Sequence, residues 1–179
     1  VFAGRGKIET LRDAIVRIGY KEVASLALTA SITTLTGDST EARKHLWRHA
    51  LATAIIGSKI GSIYPSLNTG TVYVCGLLHD IGRLLFVSAD AHNYISLEQT
   101  PFPSRETEQG HYGFDHVTLG SIFANRAGFA PSIVEAIALH HDLPQAQWEN
   151  HGSLENHKLV TAIVAIAHRC ATWLVDPDY

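Results

Sequence analysis

Apolar residues recur along this chain at the spacing of one helical face, and no alternating strand pattern persists. Ile8, Leu11, Ile15 and Ile18 form a first stripe that stops at Gly19, a suitable residue just past a helix end. Val23, Leu26, Ala27 and Ala30 extend the pattern over 21–35. Gly37 to Thr40 reads as a loop whose last hydroxyl residues can cap a helix, with Glu41 in its first turn. A long helix is predicted over 42–64, with Trp47, Leu51 and Ile55 on one stripe and Ile56, Ile60 and Ile63 on another. After a loop at 65–70, Thr71 to Val87 is apolar nearly all round, which predicts one helix buried on every side. Residues 88–112 are polar, contain Pro101 and Pro103, and read mostly as loop. Further helices are predicted over 115–127, closed by Gly128, and over 131–141, opened by Pro131 at its first position. A loop over 143–152 then leads to a last helix over 154–175. The pattern predicts an all-α bundle forming a single domain over 1–179, without internal repeats.

Composition narrows the functional classes. The net charge of -3 gives no electrostatic case for nucleic acid or an anionic membrane as partner. Apolar stretches such as Thr71 to Leu78 are interrupted short of the ~20 residues of a membrane span. The opening residues, VFAGRGKIET, lack the apolar segment of a secretion signal. Cys75 and Cys170 lie in apolar helical patterns and read as buried free thiols, which points to a cytoplasmic location.

With eleven histidines against two cysteines, any metal site would be built from imidazole and carboxylate. That donor chemistry suits iron, manganese, zinc or nickel better than a cysteine-rich zinc knuckle. His45 and His49 are one turn apart on one helical face. His79 and Asp80 interrupt the apolar helix, with Arg83 one turn on; three polar side chains in such a setting are costly unless used. His116, the pair His140-His141, and His168 occupy later helices. Five packed helices can bring such ligands to one centre. One or two divalent transition metals there would neutralise a phosphate and activate water, and Arg83 is placed to grip the phosphate. His92, His111, His151 and His157 fall in polar stretches and read as exposed; Gly110 and Gly113 make His111 a loop residue and favour His116 as the ligand.

The segments LWRHALATA, CGLLHDIGRLLF, FDHVTLGSIFA, IVEAIALHHDLP and IVAIAHRCATWL, in this order, resemble the HD superfamily of metal-dependent phosphohydrolases. Among these the chain is most similar to HDOD domains, the HD-related output domains of bacterial signalling proteins, and the upstream run KIETLRDAIVRIGYKEVASLAL fits the same resemblance. The likeness covers nearly the whole chain and implies the C-terminal two-thirds of such a module, without its usual N-terminal helices. It implies an HD-like helical bundle with a central metal site, His49 as first ligand, His79-Asp80 as the HD pair, and His116 with His140 or His141 as additional ligands. His45 lies where some multi-metal members carry a carboxylate. Two departures stand out: His168 replaces the final aspartate, and HHDLPQAQ replaces the Gly-Tyr-Pro loop of the cyclic-dinucleotide phosphodiesterase branch.

Three readings follow. In the first, the domain is a metal-dependent phosphohydrolase acting on a phosphate ester or nucleotide, with Asp80 and Arg83 in the chemistry and iron or manganese favoured. In the second, it is a non-catalytic regulatory module that binds signalling proteins. In the third, the imidazole-rich centre senses redox state or oxygen.

Overall fold

Among the residues described by this computed structural model, 41–98, 102–142 and 156–175, the chain is helical and contains no strand. The readings over 1–40, the loop at 143–152 and the close of the last helix lie outside the described residues. The helices are α1 (Glu41–Gly61), α2 (Thr69–Leu78), α3 (Ile81–Ser96), α4 (Arg105–Tyr112), α5 (His116–Arg126), α6 (Pro131–Leu139) and α7 (Asn156–Val175). The all-α bundle expected from the periodicity is thus present.

Local chemistry explains where most helices begin and end. Asn68 opens α2 by accepting the Gly70 N–H, Ser104 opens α4 by accepting the Thr107 N–H, and Asp115 opens α5 by accepting the Thr118 N–H. Pro131 stands in the first turn of α6, where its missing N–H costs nothing. Gly113 closes α4 in the left-handed region at φ 80°.

Two expectations are corrected. The apolar run over 71–87 is not one helix: it breaks at His79-Asp80, where Asp80 leaves helical geometry at φ -100° and ψ 22°. Residues 88–112 are not mostly loop: α3 continues to Ser96 through a kink at Asp90, and α4 follows. Polarity misled there because α4 is short and hides a single side chain, Glu108.

α1 packs against α2 and α7, α3 against α5, and α6 against α5 and α7. One core cluster is Val72, Cys75, Ala136, Val160, Ile163 and Val164; another is Leu46, Phe86, Val87 and Tyr94. Cys75 is buried as expected, but Cys170 is exposed, because it falls on the outer side of α7. Two close approaches fix the helix crossings. A Cβ at Gly76 would come within 2.8 Å of the Ala54 Cα, and one at Gly82 within 1.9 Å of the His116 carbonyl oxygen. By length and composition alone, Thr69–Ser96 and Asn156–Val175 are apolar enough to cross a membrane. The first of these is the broken pair α2–α3 with Asp80 at its junction, and much of both is buried within the bundle.

Candidate metal centre

The break between α2 and α3 puts His79 and Asp80 at the centre of the bundle, facing α1, α5, α6 and α7. Two groups of ligand-type atoms result, and within each the atoms lie within 4.8 Å of one another. The first is His49, His79, Asp80 and His168; the second is Asp80, His116, His140 and His141. Asp80 belongs to both. Its Oδ2 lies 3.5 Å from His79 Nε2 and 3.8 Å from His49 Nε2. Its Oδ1 lies 3.4 Å from both His116 Nε2 and His140 Nε2.

Hydrogen bonds behind the rings set which nitrogen faces inward. The Nδ1–H of His79 donates to the Gly76 carbonyl at 2.7 Å, and that of His140 to the Ile137 carbonyl at 2.9 Å. A carbonyl can only accept, so Nδ1 carries a proton and Nε2 is the nitrogen turned toward the centre. His116 Nδ1 faces the Glu108 carboxylate at 2.7 Å. Such outer partners are what orient imidazole ligands in metalloproteins.

Electrostatics keep these groups in ligand form. Burial holds the imidazoles of His49 and His141 down to about 3, helped by the neighbouring His79 and His140 respectively. Burial likewise lowers His140, and lowers His116 and His168 far below the ordinary histidine value. For Asp80, burial alone would raise the carboxyl, but His79, His140 and Arg83 around it outweigh that and hold it well below the usual range. Five of the imidazoles, those of His49, His116, His140, His141 and His168, are therefore held toward the neutral form around one carboxylate.

The residues fit a transition metal on three grounds. First, Asp80 Oδ1 and His140 Nε2 are buried and have no hydrogen-bond partner, a costly state that a cation would relieve. Second, ring nitrogens crowd together: His49 Nε2 lies 2.9 Å from His168 Nδ1 and 3.3 Å from His79 Nε2, and His79 Nε2 lies 3.0 Å from His168 Nδ1. His116 Nε2 and His141 Nε2 are 3.0 Å apart. Two nitrogens bound at ~2.1 Å to one ion, at right or tetrahedral angles, are separated by about 3.0–3.4 Å. Third, six imidazoles and one carboxylate form a borderline donor set suited to first-row transition metals.

One expected site residue stands elsewhere, and another lies at the centre but is engaged within the protein. His45 belongs to neither group; its ring lies against Phe102, with centroids 5.3 Å apart. It is one turn before His49, but the helix carries it past the centre. Arg83 is turned inward. Its Nη1 donates to the Pro103 carbonyl at 2.9 Å, to the Tyr94 hydroxyl at 3.2 Å and to Glu108 at 3.3 Å, while Nε lies 3.5 Å from Asp80 Oδ1. Its charge is answered by two buried carboxylates, so the guanidinium does not stand open as a phosphate grip. His92 and His111 are exposed, as expected, and His157 pairs with Glu135 at 3.7 Å on the surface. His151 lies outside the described residues.

Glu108 was missed. The usable signal was Ser104 followed by Glu106 and Glu108, with Gly113 closing the run: a capped short helix within a polar stretch.

The HDOD domain profile matches residues 1–143. The chain belongs to the HDOD family. A crystal structure of an HDOD domain protein of unknown function from Geobacter sulfurreducens superposes with a TM-score of 0.70 at 25% identity, covering 95% of this chain and 57% of that one. The "Putative phosphohydrolase" of Shewanella amazonensis SB2B superposes with a TM-score of 0.69 at 21% identity, over 94% of this chain and 61% of that one. The MmoQ response regulator of Methylococcus capsulatus gives 0.59 at 21% identity, over 94% and 66%. These two likenesses show a shared fold. In sequence, an uncharacterized protein of Treponema pallidum (strain Nichols) is 23% identical over 171 residues, which span 92% of this chain but only 32% of that protein. The HDOD domain described here is therefore equivalent to a part of each of these longer relatives.

Proposed function

We propose that this HDOD domain is a metal-dependent phosphohydrolase module of a bacterial signalling protein, acting on a phosphate ester or nucleotide. The observation that carries the reading is Asp80, a buried carboxylate shared by two groups of converging imidazoles, with one oxygen lacking any hydrogen bond. His49, His79 and His168 would hold one divalent transition metal, and His116, His140 and His141 a second, with Asp80 common to both; iron or manganese is favoured. Such a pair of cations, when bound, supplies Lewis acidity and neutralises phosphate charge. The protein's own contribution is positioning. The Gly76 and Ile137 carbonyls hold two rings by their outer nitrogens, and Arg83 balances the charge of Asp80. Free thiols at Cys75 and Cys170 suit a reducing, cytoplasmic setting. The likeness to a response regulator supports the signalling role.

A second reading, a non-catalytic module that binds partner proteins, has its own support. His168 replaces a carboxylate expected from the family resemblance, and Arg83 is engaged internally. The two are separated by elemental analysis of protein made without chelating tags, followed by a screen of nucleotides, cyclic dinucleotides and phosphodiesters with manganese or iron supplied. The hydrolase reading expects one to two equivalents of metal and turnover of at least one substrate. Bound metal without turnover selects the regulatory module, and well under one equivalent of any transition metal sinks the metal centre itself.

A further inference from the structure

Glu108 is wholly buried, on a helix that contributes no member to either ligand group. All its hydrogen-bonding capacity is directed at the centre. Oε2 accepts the backbone N–H of His116 at 2.7 Å and its Nδ1–H at 2.7 Å. Oε1 accepts the Tyr94 hydroxyl at 2.5 Å and Arg83 Nη1 at 3.3 Å. Four donors on two oxygens satisfy the carboxylate in full.

The other deeply buried rings show what this is for. His79 and His140 each sit at the C-terminal end of a helix and donate Nδ1–H to a carbonyl three residues earlier, Gly76 and Ile137. His116 is the first residue of α5, so no turn of its own helix precedes it to offer a carbonyl. The geometry points to Glu108 as a positioning residue that supplies from α4 what α5 cannot, holding His116 in the Nδ1–H form with Nε2 directed at Asp80 and His141. Through Arg83, the same carboxylate also braces Asp80, so one side chain aligns two members of the second group. The inference rests on the metal reading proposed above for its consequence, but not for the ring state, which exists without metal.

The test reads the ring nitrogens of His116 by 15N chemical shifts in chelator-treated protein, then titrates manganese or zinc into the wild type, Glu108→Gln, Glu108→Leu and Tyr94→Phe. The expected result is the Nδ1–H form in wild type and Tyr94→Phe, and loss of that preference in Glu108→Leu. Metal affinity of the second group should fall on the order of 10–100-fold in Glu108→Leu, the range for outer-partner substitutions, while the group with His49 and His168, touched only through the shared Asp80, should fall less. Glu108→Gln, which keeps an acceptor for Nδ1–H, should recover part of the loss. An Nε2–H form in wild type overturns the proposal even if Glu108→Leu fails to fold. So does a folded Glu108→Leu that binds two equivalents as tightly as wild type. A wild type that takes up no metal yet shows the Nδ1–H form retains Glu108's role and removes only the metal reading.

Discussion

Acidifying the metal-free domain from pH 7.5 to 5.5 should destabilise it steeply. His49 and His141 are held to about 3 in the folded chain against an ordinary value of 6.5, chiefly by burial. In the unfolded chain they titrate near 6.5, so between about pH 6.5 and 3 the unfolded state binds protons that the folded state refuses. Stability is therefore complete above pH 6.5 and is lost as pH falls. At pH 5.5 each such histidine costs RT ln(1 + 10), about 1.4 kcal/mol, so these two together cost about 3 kcal/mol. Burial shifts His116, His140 and His168 in the same direction, so they add to this loss. Glu108, pushed up by burial, works in the opposite sense, one group against five. Asp80, held well below its ordinary range, is ionised in both states across this window and contributes no slope. The assay is urea denaturation of chelator-treated protein at pH 7.5, 6.5 and 5.5, repeated for His141→Phe, which should lose about one proton's worth of slope. A change below ~1 kcal/mol between pH 7.5 and 5.5 would show that water and protons reach these rings freely, and would refute the picture of a desolvated cluster.

Other substitutions probe separate parts of the centre. Gly82→Ala places a methyl 1.9 Å from the His116 carbonyl oxygen, and neither backbone can yield alone. We expect a loss of at least ~1–3 kcal/mol in denaturation together with reduced metal content, and an unchanged midpoint would rule out that helix contact. Asp80→Ala should lower both metal content and thermal midpoint more than exposed His92→Ala; equal behaviour removes Asp80 from the site. His168→Asp adds a second carboxylate beside His49 and His79, and chelator competition should show tighter metal retention than wild type.

The legible and illegible parts of this chain divide by how far the deciding contact lies in sequence. Helical stripes, Pro131 in the first turn of α6 and Gly128 in the left-handed region after α5 are local, and each is readable from residue type. The convergence of His49, His79, Asp80, His116, His140, His141 and His168 was foreseen from their placement on successive helices. One-turn spacing puts His45 and His49 on one face but does not bring both to one point, and His45 packs against Phe102 instead. The break at His79-Asp80 was invisible in an apolar run, since Asp80 leaves helical geometry under tertiary demand, with Gly82 pressed against the α5 backbone two residues on. Residue type alone points Arg83 toward a substrate phosphate, because its partner Glu108, 25 residues away, lies in a polar stretch that predicts loop.

The sharing of Asp80 between two groups has a consequence for how the chain matures. Asp80, His116, His140 and His141 are all synthesised by residue 141, whereas the group with His49 is closed only by His168, whose Nδ1 meets a nitrogen 119 residues upstream. As the chain emerges N-terminus first, one half of the centre can assemble while the other waits for α7. Contacts of such long sequence separation form late in folding because the intervening loop must first be closed. If the centre holds metal as proposed, occupation of the His49–His168 half would report that the chain has been made and folded as far as His168 within α7, and a chain truncated before that helix would carry at most half the centre.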